Sequence, residues 1–404
     1  MKLTKSTLRV LLVLFLVRLA LSLLPSFDVD MGAWLAWAYR LAELGPSKFY
    51  SDDIWTQYTP GFLYWLLLVG KLGWVDPLMI KIPVILADIV TAILIGKIVG
   101  SRSSRVNLWI YALYVLNPVI IFDGSIWGQV DGILTLFMLA STYYLIERKK
   151  IVLGFGLTGV ALLIKLQAVA ILPIILIYTL VVFGLSQVVV GSMVMGLVVV
   201  AGFYPFYPTN PLVGMLDLVA KMGISYPYTS LFAYNVWSYV GMWIHDKVLF
   251  SGLSYFQWGV GMVAIAFLVL IVRFFRSLKD KRQIYLVLAL ACLIFFLFPT
   301  RVHERYLFPF FAFLTVAVFL NKKKYLTASM LVMTIVYTLN LYVPYSHYAP
   351  LTNSLKNPTL EMLIGKIQPL ITSVYLGTFI ALVMGGLFPG REKLKQQLPV
   401  RTRE

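Results

Sequence analysis

The segment 300–309 carries the densest group of ionisable side chains in the sequence. It reads TRVHERYLFP and places Arg301, His303, Glu304 and Arg305 within five positions, between apolar runs that leave almost no loop. Arginine presents a planar fork of donors that matches phosphate oxygens, and His303 can donate to a phosphate or orient Glu304. These residues predict a binding site for an anionic phosphate. A metal site is less well supported, because only one histidine is present here.

Lys165 is a further candidate for the phosphate site. It interrupts the apolar stretch 151–184, which is too long for one membrane span and fits two short spans that meet at Lys165. A lysine at membrane depth is costly and is by default a functional residue. The alternative is that its side chain only extends to the lipid headgroups.

Asp28 and Asp30 follow the first apolar run of the chain, in the tetrapeptide FDVD at 27–30. Carboxylates just beyond a helix end are commonly solvated flanks, and for an arbitrary pair this is the more frequent explanation. The functional alternative is a general base at the membrane surface, which takes a proton from a reacting hydroxyl group.

A short hairpin, DGSIWGQVDG at 123–132, joins two apolar runs. Such a hairpin needs turn residues, but it does not need Trp127, Gln129 and Asp131. A ring that can stack and side-chain groups that accept hydrogen bonds are typical of carbohydrate contacts. A sugar site and a plain hairpin are therefore equally supported.

These residues stand in a chain that is too apolar for a water-soluble protein. Its 404 residues are 60% hydrophobic and 13% charged, with a mean hydropathy of +0.86, whereas soluble domains are about half apolar and about a quarter charged. Several apolar runs approach the roughly 20 residues that cross a bilayer core. We predict an all-α, polytopic transmembrane helical protein.

The net charge of +17 does not indicate a nucleic-acid-binding protein. The basic residues form short clusters between apolar runs, for example 148–150 and 322–324, and clusters in such positions fix the cytoplasmic side of membrane proteins. The single cysteine, Cys292, lies in an apolar run and excludes an intrachain disulfide.

Charge also fixes the predicted topology. The piece 61–74, entered through QYTPG at 57–61, has only about fourteen residues, which suits an interfacial or re-entrant helix. If it does not cross, the basic clusters fall inside and most acids fall outside, which predicts twelve spans with both termini cytoplasmic. The candidate spans are 8–24, 79–99, 107–122, 130–146, 151–164, 168–184, 187–206, 254–273, 284–299, 306–320, 325–343 and 366–388.

Two long outer loops, 25–78 and 207–253, remain between these spans. The first contains an apolar pattern at helical spacing over 31–45, which predicts an interfacial helix. The second is rich in Tyr, Pro and Trp, which suits a platform at headgroup level. We predict one membrane domain, 1–390, and a basic cytoplasmic tail, 391–404. Arg18 and Asp88 lie within spans and need partners or cavity water.

In these features the chain resembles the GT-C superfamily of glycosyltransferases that use lipid-linked sugars, and most closely the branch of dolichyl-phosphate-glucose-dependent glucosyltransferases and their prokaryotic relatives. The resemblance covers the layout of most of the chain. Its most specific motif is Val-His-Glu followed by a cation at 302–305. The other matching elements are Asp30 with Trp37 seven residues later, Tyr58-Thr59-Pro60, Gln129 in the hairpin, and Lys165 with Gln167.

The resemblance implies an inverting hexose transfer from a polyprenyl-phosphate-linked donor to a lipid-linked or glycan acceptor, with no cofactor and no metal. Asp30 would be the general base, with Asp28 in reserve. The donor phosphate would bind Lys165, Arg301, His303 and Arg305. The sugar and acceptor would be held by Trp37, Gln57, Tyr58, Trp127, Gln129, Asp131, Gln167 and Glu304.

Other functions stay open at this point. The main alternative is a transporter or flippase of a lipid-linked sugar, although such proteins usually place their sites at the midplane between inverted repeats. A ligase of whole glycans and an inactive scaffold are further alternatives. The only Asn-X-Thr sequence, at 357–359, is blocked by proline. This favours a prokaryotic plasma membrane over the endoplasmic reticulum, with the active site on the extracytoplasmic face.

Overall fold

A computed structural model describes residues 4–51, 54, 56, 58–100 and 103–385 of the chain. In these ranges the regular structure is helical apart from one hairpin of two-residue strands, β1 (Leu249–Phe250) and β2 (Leu253–Ser254). The predicted all-α class is therefore confirmed. The predicted tail, 391–404, lies outside the described residues.

The first half of the described chain contains nine α-helices and their irregular extensions. They are α1 (Lys5–Leu21), α2 (Asp28–Leu44), a 3-10 turn (Pro46–Lys48), α3 (Pro60–Lys71), α4 (Pro77–Val99), α5 (Ser104–Val115), α6 (Pro118–Ile120) with a π-helical continuation (Ile121–Trp127), α7 (Asp131–Thr142) with a π-helical continuation (Tyr143–Glu147), α8 (Ile151–Ile164), and α9 (Leu172–Phe183) after a 3-10 turn (Leu166–Ile171).

The second half adds eight more helices and the hairpin. They are α10 (Leu185–Phe203), α11 (Pro211–Ser225), a 3-10 turn (Val236–Tyr239), α12 (Tyr255–Phe274) with a 3-10 extension (Phe275–Ser277), α13 (Lys281–Leu297), a 3-10 turn (Glu304–Leu307) that leads into α14 (Phe308–Asn321), α15 (Lys324–Tyr348), α16 (Pro358–Lys366) and α17 (Gln368–Gly385).

Each of the twelve predicted spans overlaps a helix of the described residues. Within the described residues, seven helices are long and apolar enough to cross a membrane, or eight if α5 and the bent segment Pro118–Trp127 form one span with a 49° bend. The other four predicted spans correspond to α1, α7, α8 and α13, each of 12 to 17 residues. The chain is a polytopic membrane protein, and the count of twelve spans stays a prediction.

Helix α3 is the apolar piece that decides the predicted topology. Its 12 residues extend about 18 Å at the α-helical rise, well short of a bilayer core of about 30 Å. Its buried face, which includes Phe62, Leu63 and Leu66, packs on α2 and α8. Gly61 and Gly70 allow this close approach, since an added Cβ would collide with the carbonyl oxygen of Leu163 and with that of Ala38, respectively.

Helix α2 ends where its sequence predicts and begins three residues before the predicted start. Asp28 and Asp30 lie in its first turn, where carboxylates interact favourably with the helix dipole. Its C-cap is Gly45, at φ +76°, and Pro46 follows directly. The predicted helix 31–45 is confirmed and starts three residues earlier, so that both candidate acids belong to it.

The centre of the molecule is formed by α13 and α14, whose side chains are almost all buried. In contrast, only two residues of α10 and four of α12 are buried, as expected of lipid-facing helices. Arg18 and Asp88, which the sequence places inside spans, are fully buried and pair with each other at 2.7 Å. Each therefore has the partner that its position requires.

Candidate active site

A cavity of about 240 Å³ lies between the start of α2, the turn that precedes α14, and the end of α15. It is lined by the candidate acid Asp30 and by residues 303–305 of the segment 300–309, which is termed the phosphate turn. Its lining residues are Phe27, Val29, Asp30, Ala33, Trp34, Trp37, Tyr58, Tyr226, Phe232, Trp243, His303, Glu304, Arg305, Pro344 and Tyr348.

The orientation of Asp30 is set by the hairpin between α6 and α7. The indole Nε1 of Trp127 donates to Asp30 Oδ2 at 2.7 Å, and the amide Nε2 of Gln129 donates to the same oxygen. The backbone N–H of Phe27 also donates to the carbonyl oxygen of Trp127 at 3.2 Å. Two donors on one oxygen fix the position of the carboxylate.

Tyr58 extends this network from the loop before α3. Its hydroxyl donates to Gln129 Oε1 at 3.1 Å, so the amide of Gln129 is held at both ends. The ring of Tyr58 lines the cavity and packs against Trp34 and Trp37, with centroid distances of 4.6 and 5.8 Å. Burial raises the pKa of Tyr58 well above its ordinary value, so the phenol remains a neutral donor.

The second outer loop holds the phosphate turn in place. The backbone N–H of Leu231 donates to Val302 O at 3.0 Å, and Leu231 and Phe232 form backbone bridges with His303. The ring of Tyr226 meets the imidazole of His303 edge-on at 5.4 Å. The Tyr- and Trp-rich loop thus forms one wall of the cavity.

Three predicted residues of the turn face this cavity. Arg305 Nη1 donates to Glu304 Oε1 at 2.9 Å, and both side chains are almost fully buried. His303 Nδ1 lies 3.8 Å from Glu304 Oε2. Burial lowers the pKa of His303, and Arg305 lowers it further. The imidazole is therefore neutral near pH 7, and Arg305 is the cation at this wall.

Lys165 lies behind Tyr58 and not on the cavity wall. It sits in extended backbone between α8 and the 3-10 turn that follows, as the predicted meeting of two short spans requires. Its Nζ pairs with Asp131 Oδ1 at 2.7 Å and lies 5.7 Å from the ring centre of Tyr58. Asp123, which is fully buried, interacts electrostatically with both members of this pair.

Arg301 lies apart from the other residues that were predicted to bind the phosphate, and it does not line the cavity. Its Nε donates to Asp246 Oδ2 at 2.6 Å and its Nη2 to Asp246 Oδ1 at 3.2 Å. Thr300 donates to the same carboxylate, and the guanidinium lies 4.4 Å from the ring centre of Phe256. A φ of +64° at Arg301 turns this residue away from its neighbours in the motif. Its contacts anchor the second outer loop.

Like Trp127, Gln129 and Asp131, the predicted site residues Asp28 and Gln167 do not line the cavity. Asp28 lines a different hollow, between α2 and the start of α4. Gln167 donates to the carbonyl oxygen of Tyr306 at 2.7 Å, so it connects the segment after Lys165 to the phosphate turn. Gln57 lies outside the described residues. Within the described ranges no group of three or more His, Cys, Asp or Glu could hold a metal ion.

Much of the remaining cavity wall is aromatic and was not assigned residue by residue from the sequence. Phe27 adjoins the acid motif, while Trp34 shares one face of α2 with Trp37. The composition of the second outer loop signalled Tyr226, Phe232 and Trp243 only as a group. No feature of the sequence pointed to Tyr348, at the end of α15, because it follows a long apolar run.

Comparison with known proteins supports a membrane glycosyltransferase. GPI mannosyltransferase 1 of Debaryomyces hansenii is 30% identical over 129 residues, which is 30% of this chain and 31% of that protein. GPI mannosyltransferase 1 of Candida albicans is 26% identical over 101 residues, 24% of this chain and 25% of that protein. The matches thus span less than a third of either relative. They do not support the glucosyltransferase branch, and no known family profile matches the chain.

Proposed function

We propose that this protein is an inverting hexosyltransferase that takes its sugar from a polyprenyl-phosphate-linked donor. The acceptor is a hydroxyl group of a lipid-linked or other glycan on the extracytoplasmic face. The observation that carries this proposal is the placement of Asp30, Glu304 and Arg305 on one cavity, although they come from distant parts of the sequence.

The proposed reaction has one chemical step. The acceptor hydroxyl oxygen attacks the anomeric carbon, the bond from that carbon to the phosphate oxygen breaks, and the electron pair leaves with the phosphate. Asp30 takes the hydroxyl proton as general base. Trp127 and Gln129 are its orienting donors, which revises their expected role as sugar contacts.

The donor phosphate binds at the opposite wall in this proposal. Arg305 supplies the nearest cation, and neutral His303 supplies a hydrogen bond. A phosphate is a good leaving group, so positive charge beside it can replace a general acid. Lys165 adds to the local field from behind Tyr58 and is not a direct phosphate ligand.

The walls of the cavity suit a sugar. Rings of Trp34, Trp37, Tyr226 and Trp243 line it, and apolar ring faces can stack on the C–H faces of a pyranose. Mannose is the first candidate, because both similar proteins are named as mannosyltransferases. The prokaryotic plasma membrane remains our predicted location.

A transfer assay with the purified full chain tests the function. The protein is placed in nanodiscs with synthetic polyprenyl-phosphate donors that carry mannose, glucose, galactose or arabinose, and with a panel of lipid-linked acceptors. We expect transfer from one donor, strongest for mannose, with inverted anomeric configuration by NMR. Retained configuration would contradict the mechanism, and flux of the donor lipid across proteoliposomes without any transfer would indicate a transporter.

A further inference from the structure

The segment between α5 and α7 is broken and bent, and a single buried side chain bridges the break. Arg18 of α1 donates from Nη1 to the carbonyl oxygen of Val115 at 3.2 Å and from Nη2 to that of Ile120 at 2.9 Å. One acceptor lies before the break at Pro118 and the other lies after it. The guanidinium therefore ties the two arms of the bend together.

A second contact extends this bridge toward the hairpin. Arg18 Nε donates to Ser125 Oγ at 2.6 Å. Gly124 lies against the same group, since an added Cβ there would be 2.8 Å from Arg18 Nη2 and 3.1 Å from Asp88 Oδ2. The guanidinium thus contacts the bent segment along its length.

Asp88 of α4 supplies the counter-charge. Its Oδ2 accepts from Arg18 Nη2 at 2.7 Å, and both side chains are fully buried. A buried ion pair contributes little net stability compared with apolar residues of the same volume. What an arginine adds is a planar fork whose donors point in fixed directions. Here they point at three acceptors, one at the end of α5 and two on the segment 118–127.

The bent segment leads directly to the donors on Asp30. Trp127 is two residues after Ser125, and the backbone N–H groups of Gly128 and Gln129 both donate to Asp123 O at 3.0 Å. A change in the bend would therefore move Trp127 and Gln129 relative to Asp30.

We propose that Arg18 and Asp88 are positioning residues that set the orientation of Asp30 through the bent segment 118–127. This inference rests on the proposed function, because it assigns the pair to the proposed general base. Neither residue lines the cavity, so neither touches the substrate.

A spectroscopic test of this proposal needs no substrate. The full chain is labelled with 5-fluorotryptophan, and the ¹⁹F signal of Trp127 is identified as the one missing from Trp127→Phe. Arg18→Lys keeps the positive charge and removes the planar guanidinium with its fixed donors. We expect this substitution to shift the ¹⁹F signal of Trp127. Ser125→Ala removes one acceptor and provides a milder variant if Arg18→Lys does not fold. An unshifted signal in the folded variants would overturn the proposal.

Kinetics separate positioning from general damage to the fold. A misplaced base lowers kcat, and displacements of about 1 Å can reduce rates about 100-fold, so we expect Arg18→Lys to lower kcat by about 10- to 100-fold with little change in donor KM. When Arg18→Lys is added to Trp127→Phe, the further loss of kcat should be small, because the two substitutions act on one chain of contacts. Full additivity of the two losses would contradict the proposal.

The matched control is Lys281→Gln, which breaks the ion pair between Lys281 and Glu147 at 2.8 Å. Glu147 ends the π-helical continuation of α7, whereas the hairpin precedes the start of α7. Lys281→Gln should leave both kcat and the Trp127 signal unchanged, and an equal effect in the control would also overturn the proposal. If the wild-type protein transfers sugar from no donor, the proposed function fails, while the fluorine signal still decides whether Arg18 positions Trp127.

Discussion

Trp127 donates its indole N–H to the carboxylate of Asp30 across 2.7 Å, although 97 positions separate the two residues in the chain. This contact joins the hairpin between α6 and α7 to the first turn of α2. It also distinguishes Asp30 from Asp28, which lies in the same helical turn and lines a different hollow.

The first prediction concerns this distinction. Asp30→Asn should abolish sugar transfer, because an amide cannot accept the hydroxyl proton, while the donor still binds. Asp28→Asn should retain most of the activity, since Asp28 is outside the cavity. Initial rates and donor binding, measured on the same preparations, check both statements, and near-normal turnover by Asp30→Asn would refute the base assignment.

The second prediction separates the two arginines of the phosphate turn. Arg305→Ala should raise the donor KM, because Arg305 is the cavity cation. Arg301→Ala should leave the donor KM unchanged and lower the stability by about 2 kcal/mol, since the buried Asp246 loses its charged partner. Kinetics and thermal melting of both variants are the measurements. A selective rise in donor KM for Arg301→Ala would return this residue to the phosphate site.

The third prediction concerns Lys165 and Asp131. Lys165→Met alone leaves Asp131 buried without its cation, which should cost about 3–5 kcal/mol. The double variant Lys165→Met/Asp131→Leu should regain much of that stability, because apolar residues can replace a buried ion pair. Transfer should stay low in the double variant, since the field of Lys165 at the phosphate is lost. Wild-type rates there would show that the pair is only structural.

The fourth prediction follows from the lowered pKa of His303. Above its ordinary pKa of about 6.5 the imidazole is neutral in both the folded and the unfolded chain, so it contributes no pH dependence. As the pH falls through that value, the unfolded chain takes up a proton and the folded chain resists it, so stability falls. The melting temperature of the wild type should therefore drop more than that of His303→Gln between pH 7.5 and 5.5. Parallel curves would contradict this expectation.

The sequence was sufficient for the fold class, the helix that carries Asp30, and the break at Lys165, because each depends on local pattern. It also predicted Asp30 and residues 303–305 as site residues; the structure places them on one cavity, and their roles stay predictions. It could not show that Arg301 faces Asp246, because that partner lies 55 positions away in an irregular loop. The roles of Trp127 and Gln129 depend in the same way on the angle of a bend that no local pattern encodes.

The aromatic lining of the cavity bears on a competing reaction. Any enzyme that moves a sugar between two hydroxyl groups must keep water from attacking the same anomeric carbon. Eight of the described residues around this cavity carry phenyl, phenol or indole rings, and such walls offer bulk solvent little to hydrogen-bond with. In the absence of an acceptor, the bound donor should therefore be hydrolysed only slowly. Under the proposed function, the activated sugar would then stay intact until the acceptor binds.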